Sequence, residues 1–382
     1  MKILIFDNIE TGHHIEYVHH LYNYAGKMMK DDVFIFVLAE GLLHNHKDID
    51  FNKYANIQTV AIKEEENYKI KKGIFKNWRN WYHDYKLLRK YINLYQPEKV
   101  VLNALFHFMP FLAFSRVGKN LLSGILYIIP DRKPKNRSLI NRWADKVRLF
   151  LYAKGKIFKH VFLLNDTEYP SIYNKMYNTA VFKYLPDPYV NTPTNIQTNH
   201  ITINTQKKVF LHFGGMGYRK GTIDILNAIQ LMDEKELDKC LFIFAGVFTD
   251  KDLYQAFIEK ITMLKKKVEI IHIDGFVPFE ELAYFCSQAN YVLVPYKNVE
   301  QSSGVINHAA KYGKAVVGPA EGLLGHLIKK YKLGYTLEKT NEKTLAKFIK
   351  EAVNNEHVPM VDGSAFLKNA TPENFARIML NS

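Results

Sequence analysis

The sequence predicts an α/β protein built as two Rossmann-like halves, and three observations carry that reading. Short aliphatic runs alternate with helix-period patterns along the chain, the signature of βα units around mainly parallel sheets. The length of 382 residues allows two or three domains, each large enough to bury its own core. A stretch holding Pro186, Pro188 and Pro193 and a Thr/Asn-rich tract at 192–205 interrupts the alternation near the middle.

In the first half the aliphatic runs place strands at 2–7, 33–38, 99–103, 124–129 and 160–164, with helices at 14–30, 78–95 and 138–155. In the second half, strands at 209–213, 241–245, 268–273, 291–294 and 315–318 alternate with helices at 221–232, 250–266, 279–288, 304–312 and 341–354. The expected domains are 1–186 and 208–358, joined by a linker at 187–207. A tail at 359–382 carries a short helix, 372–380, expected to cross back to the first domain. No repeat of solenoid length is visible.

Composition narrows the class. The chain is 47% hydrophobic and 24% charged, the balance of a globular protein rather than a disordered one. Its two cysteines, Cys240 and Cys286, can build neither a disulfide framework nor a cysteine-rich zinc site. The apolar start is broken by Asp7, too early for a signal-peptide core, and no apolar run reaches the roughly 20 residues of a membrane span. A cytoplasmic protein is therefore expected.

Charge is uneven. Residues 1–190 hold 29 Lys/Arg against 18 Asp/Glu, and the remainder 23 against 20. Within 131–160, ten basic residues face only Asp131 and Asp145. Leu139, Ile140, Trp143, Val147, Phe150 and Leu151 recur there at helical spacing, giving an amphipathic helix with a basic face. Such a helix either rests on an anionic membrane surface or docks its apolar stripe on a core. Nucleic acid is not expected as a partner, because no binding motif accompanies the charge.

Two segments carry the chemistry. Phe213-Gly-Gly-Met-Gly-Tyr-Arg-Lys-Gly221 is a strand-to-helix turn whose glycines, Gly214 and Gly215 among them, let backbone approach a ligand, while Arg219 and Lys220 set positive charge at the helix start. A diphosphate fits this pattern, and so does a plain structural turn. In Glu300-Gln-Ser-Ser-Gly-Val-Ile-Asn-His308, residues Ser302, Ser303 and Gly304 stand where a helix begins. Unpaired amides there favour an anion through the helix dipole; Ser302 acting simply as an N-cap is the alternative.

Together these segments resemble the nucleotide-sugar half of a GT-B glycosyltransferase of the retaining family 4 type. The likeness runs on through Phe244-Ala-Gly246, Asp274-Gly-Phe-Val-Pro-Phe-Glu-Glu281, Val292-Leu-Val-Pro-Tyr296, Tyr312-Gly-Lys-Ala-Val-Val317 and Glu321-Gly322. Gly12-His13-His14 and Leu185-Pro-Asp-Pro188 extend it more weakly to the first half.

The resemblance implies two Rossmann-like domains facing a cleft, with donor bound by the second and acceptor by the first. Lys220, with Arg219, would neutralise the donor diphosphate, and Glu300 would contact sugar hydroxyls. Ser302, Ser303, Gly304 and Val305 would flank the phosphates, while Phe276 and Val277 would border the base. The family usually has a second Glu for the ribose where this chain has His308. On the acceptor side the implied residues are Gly12, His13, His14, His107 and Asp131.

Glu16 and His20 are four apart on a helix, yet no His-Glu-x-x-His order exists, and the resemblance implies transfer without a metal or other cofactor. The expected reaction is retaining transfer from a nucleotide sugar to a saccharide or lipid-linked saccharide acceptor in cell-surface polysaccharide or lipopolysaccharide synthesis, at the inner face of the membrane. The alternatives are a non-catalytic sugar-nucleotide-binding scaffold and an inverting transferase using His13 or His14 as base.

Overall fold

The computed structural model describes residues 1–10, 14–45, 49–72, 75–115, 118–119, 121–134, 137–189, 201–248, 250–355 and 360–381. They divide into two compact units: Met1–Pro130, Asn136–Asp187 and Thr371–Ser382 form one, Asp131–Lys135 and Pro188–Ala370 the other. No helix among the described residues is long and apolar enough to cross a membrane.

The first unit holds strands β1 (Lys2–Asp7), β2 (Val33–Ala39), β3 (Ile57–Ile62), β4 (Lys99–Leu102), β5 (Leu122–Leu126), β6 (Phe158–Leu164) and β7 (Phe182–Leu185). Its helices are α1 (His14–Met28), α2 (Glu40–Asn45), α3 (Lys76–Tyr95), α4 (Leu139–Lys154) and α5 (Tyr169–Tyr177). The strands form one sheet in the order β3-β2-β1-β4-β5-β6-β7, parallel throughout.

The second unit holds β8 (Lys208–Phe213), β9 (Cys240–Gly246), β10 (Glu269–Asp274), β11 (Tyr291–Leu293), β12 (Ala315–Pro319) and β13 (Gly334–Leu337). Between and after them run α6 (Thr222–Gln230), α7 (Glu234–Leu237), α8 (Lys251–Leu264), α9 (Phe279–Gln288), α10 (Gly304–Lys311), α11 (Gly322–Lys330), α12 (Glu342–Asn354) and α13 (Ser364–Leu367). This sheet, also parallel, has the order β10-β9-β8-β11-β12-β13.

The central strands are apolar on both faces because helices cover both sides of a parallel sheet. All seven residues of β9 are buried, as are five of the six in β1. In each sheet the order reverses once, between β1 and β4 and between β8 and β11. Loops at the carboxyl ends of the two strands flanking such a point line the ligand crevice of doubly wound sheets.

The structure adds β3, β7 and β13 to the expected strands, all toward sheet edges. β3 is mostly half-exposed and reads Ile-Gln-Thr-Val-Ala-Ile, and β13 begins at Gly334 and has no fully buried residue, so neither shows the dense aliphatic run of a central strand. Helices α2, α5, α7, α11 and α13 were likewise not expected. β5 runs over Leu122–Leu126 rather than 124–129, because its register with β4 starts at Leu122 opposite Val100. The expected linker falls largely on 190–200, outside the described residues.

The tail divides. α13 belongs to the second unit, and α14 (Pro372–Asn381) to the first. Phe375, Ala376, Met379 and Leu380 of α14 are fully buried in the cluster that holds Ile3, Tyr17, Val18 and Leu21. The Phe375 ring lies 4.8 Å from that of Tyr17. Lys99 Nζ donates to the Leu380 carbonyl at 2.7 Å, serving an orphan acceptor at the helix end, and burial lowers this lysine's pKa to about 8.

Candidate functional site

The glycine-rich turn follows β8, at the reversal point of the second sheet. Gly214 has φ +96° and donates its amide to the Ala245 carbonyl at 3.0 Å. A Cβ on Gly246 would lie 1.8 Å from the Gly214 carbonyl oxygen, so these two backbones touch only because position 246 has no side chain. Gly215 is exposed, and a Cβ there would meet nothing within 4 Å.

A short 3-10 turn, Tyr218–Lys220, then leads through Gly221, at φ +72°, into α6. Buried His212 and Thr222 pin this turn from beneath. His212 Nδ1 donates to the Leu293 carbonyl at 2.9 Å, so Nε2 accepts from the Thr222 hydroxyl at 3.0 Å, and that oxygen receives the Gly217 amide at 3.2 Å. The sequence reading missed both residues, because one histidine in an apolar strand carries no signal of its own.

Burial lowers the His212 pKa to about 4. The unfolded chain, near 6.5, therefore binds the proton first, and this group's contribution to stability is present above pH 6.5 and lost as pH falls toward 4. Full protonation costs on the order of 3 kcal/mol. His212→Asn keeps a donor for Leu293 and should flatten the fall in melting temperature between pH 6.5 and 4 relative to the parent chain. His20 and His160, lowered likewise by burial, contribute to the slope that remains.

Lys220 is half-buried and Arg219 exposed. The Lys220 ammonium sits 3.8 Å from the centroid of the Tyr296 ring, a cation–π contact. Tyr296, just beyond β11, is buried, and its hydroxyl accepts from Ser303 Oγ at 3.4 Å. Tyr296 thus joins the two segments that the sequence singled out. It went unrecognised because Val292-Leu-Val-Pro-Tyr296 reads as the end of a core strand.

The N-cap of α10 is Ser303, not Ser302, and its side chain caps none of the helix amides, since its hydroxyl turns to Tyr296. Simple N-capping therefore does not account for Ser303. Gly304 opens α10, and Val305 Cγ2 would lie 3.9 Å from a Cβ on Gly214, so the first turn of the helix packs against the glycine loop. Glu300 and Ser302 are half-buried in the preceding loop.

His308 is buried one helical turn further on. Its ring meets Phe213 edge-on at 5.8 Å and stacks with Phe279 at 6.5 Å. Phe276 continues the series against Phe279 at 6.3 Å and is 77% exposed, an open aromatic face beside half-buried Val277.

The reversal point of the first sheet gathers a second polar cluster. His14, opening α1, has its Nδ1 2.7 Å from Asp7 Oδ2 at the end of β1. Asn103 Nδ2 donates to the same oxygen at 2.9 Å, and the Ile9 amide to Asp7 Oδ1 at 3.1 Å. With the carboxylate accepting at Nδ1, the other ring nitrogen of His14 is left to accept a proton. His107 is close enough to feel both Asp7 and His14, and burial lowers its pKa. The Tyr127 ring lies tilted against that of His14 at 5.9 Å.

Gly12 and His13 lie outside the described residues. Asp131, expected on the first half's side, is exposed in the turn Pro130–Arg132 and counts with the second unit. Among the described residues no three His, Cys, Asp or Glu side chains converge on a metal position, and His20 packs edge-on to Phe375 at 6.4 Å.

The basic helix departs from the core-docked alternative. α4 buries Asp145, Leu149, Tyr152 and Ala153, while Leu139, Ile140, Trp143 and Phe150 are exposed. Arg137 and Arg148 hold Asp145 at 2.5 and 3.2 Å, so these two cations serve the fold. The apolar stripe points largely outward because the ion-paired Asp145 takes the inner face.

Residues 194–365 match the family model described as glycosyl transferases group 1. No curated protein matches the chain. Among solved structures, HepE of Anabaena, crystallised with UDP and glucose, is 14% identical with a TM-score of 0.64, covering 100% of this chain and 97% of that one. WaaG, a glycosyltransferase involved in lipopolysaccharide biosynthesis, is 15% identical with a TM-score of 0.66, covering 100% of both chains. The trehalose 6-phosphate synthase of Burkholderia multivorans is 9% identical with a TM-score of 0.68, covering 99% and 97%. At these identities the likeness is one of fold: the chain has the two-Rossmann architecture of GT-B glycosyltransferases, and its residues 194–365 carry the group 1 pattern.

Proposed function

We propose that this protein transfers a sugar, with retention and without a metal, from a nucleotide diphosphate sugar to a saccharide or lipid-linked saccharide in cell-surface polysaccharide or lipopolysaccharide synthesis. It would work in the cytoplasm at an anionic membrane surface met by the basic segment 131–160. The observation that carries the reading is the join at the second reversal point. There Lys220 rests on Tyr296, Tyr296 meets Ser303, and the amides opening α10 lack the serine as a cap.

A diphosphate leaving group is the ligand that such a site stabilises most, because fixed charge and oriented amides act where negative charge develops. Arg219 would share that charge, Glu300 would hold sugar hydroxyls, and the open face of Phe276 would take the base, with Gly214, Gly215, Ser302, Val305 and His308 around the donor. The complexes of HepE with UDP and UDP-glucose support a nucleotide-sugar donor, and the WaaG likeness supports a surface-polysaccharide setting.

The test is a panel of nucleotide sugars. A true donor at 100 times its dissociation constant should add about 2.7 kcal/mol to stability, and proton NMR of the product should show the donor's anomeric configuration kept. Activity should persist in excess EDTA: the Asp-x-Asp pairs Asp48-Ile-Asp50 and Asp250-Lys-Asp252 lie outside the two donor segments in sequence, and Asp250 caps α8; complete, metal-reversible loss would sink metal independence.

The Asp7–His14 pair favours a second reading, inverting transfer with His14 as base, and an inverted anomer would establish it. Stabilisation by a donor with no turnover on any acceptor would instead leave the non-catalytic scaffold.

A further inference from the structure

The first unit carries a large apolar surface that its core does not use. Trp78 and Tyr82 of α3, Phe114 of the 3-10 turn Phe111–Phe114, and Leu139, Ile140 and Trp143 of α4 are all exposed, Leu139 and Ile140 by 78% each. They belong to one region. Phe111 meets Trp78 at 6.0 Å and Tyr82 at 5.1 Å. Phe106, in the preceding 3-10 turn Phe106–Phe108, meets Trp81 at 5.7 Å and carries the Arg148 guanidinium of α4 at 4.5 Å. α3 and α4 thus flank one pair of short turns.

Two further features say what covers this surface. The chain has three tryptophans, Trp78, Trp81 and Trp143, and all lie here. Exposed Lys76, Arg79, Arg142 and Lys146 surround them. The only acidic residues of the two helices, Asp84 and Asp145, are buried and ion-paired, with Lys69 and with Arg137 and Arg148. Neither helix has an acid in its first turn, where the helix dipole would favour one. Tryptophan and tyrosine amid basic side chains, with aliphatic tips and no exposed acid, is the composition that settles at the boundary between headgroups and acyl chains.

We propose that this surface inserts into an anionic bilayer, Leu139, Ile140, Trp143 and Trp78 entering the boundary while the cations bind anionic headgroups. α3 and α4 each return to a parallel strand, so both begin at the carboxyl edge of the first sheet, the edge that holds Asp7, His14 and His107. Insertion therefore presents that cluster to the membrane surface and makes a lipid-linked saccharide the acceptor class. The inference rests on the membrane reading above. It extends that reading from charge on one segment to insertion by two helices and the turns between them.

The full chain would be sedimented with vesicles of phosphatidylcholine alone and of equal parts phosphatidylglycerol and phosphatidylcholine, with tryptophan emission recorded and acyl-chain bromines used as quenchers. Expected are binding to the anionic vesicles, a blue shift, and quenching. Leu139→Ser with Ile140→Ser should weaken binding at least tenfold with an unchanged melting temperature, because both side chains are exposed. Arg79→Gln with Arg142→Gln and Lys146→Gln should weaken it roughly a hundredfold at low salt, at about one power of ten or somewhat less per cation. Binding without shift or quenching, unaffected by the serine pair, would overturn insertion and leave the charge reading standing. No binding to either vesicle would overturn both, while donor stabilisation and sugar transfer would still be measured separately.

Discussion

Lys220→Ala should lower kcat by two to three powers of ten, about 2.7–4 kcal/mol, the scale of removing one preorganised transition-state donor. On the proposed reading, the ammonium is held by the Tyr296 face before substrate arrives, so the charge needs no reorganisation when the diphosphate departs. Tyr296 variants separate that holding role from charge itself. Tyr296→Phe keeps the ring and releases Ser303, and should retain most of the turnover. Tyr296→Leu removes the face and should reduce kcat more than KM, because the lysine is still present but no longer positioned. Steady-state kinetics on all three decide the matter: near-normal kcat in a folded Lys220→Ala protein would remove the diphosphate assignment.

Phe375→Ala should destabilise the first unit by about 3–5 kcal/mol, as a fully buried aromatic lost to a cavity. Its ring fills the space between α14 and Tyr17, and Lys99 holds the helix end by one hydrogen bond that a loosened helix would forfeit. All three tryptophans lie in the first unit, so thermal unfolding followed by their emission reports that unit alone. A fall of roughly 10 °C is expected, at about 2–4 °C per kcal/mol for a unit of this size. An unchanged midpoint would mean that α14 adds nothing to that core.

The fold was legible where burial is two-sided. Runs such as Lys-Ile-Leu-Ile-Phe-Asp and Cys-Leu-Phe-Ile-Phe-Ala-Gly leave no other reading, whereas β3 and β13, at the sheet edges, are half-wet and carry polar or glycine residues. In the candidate site the glycines, the paired cations and the Ser-Ser-Gly helix start stood out because their residue types are wrong for a core. Tyr296, His212 and Thr222 did not, since each is buried and its role depends on which loop lies over it. Asp7 was hidden at the end of a strand, where an acid reads as a stop signal. For α4 the period was legible and the face was left open: spacing shows that apolar residues share a side, and only the Asp145 ion pairs show which side the core chose.

The placement of α14 has a consequence for how the chain is made. Domains generally fold as units in the order of synthesis, the amino-terminal one first. Here the outer side of α1 is closed by Phe375, Ala376, Met379 and Leu380, which follow the second unit in the chain and so leave the ribosome after it. The first unit therefore waits, with an apolar flank uncovered, through the translation of the whole second unit, and completes only once α14 has emerged. A chain stalled or clipped before residue 371 would hold an intact second unit and an unfinished first one, so α14 lets the first unit close only after the second has been made.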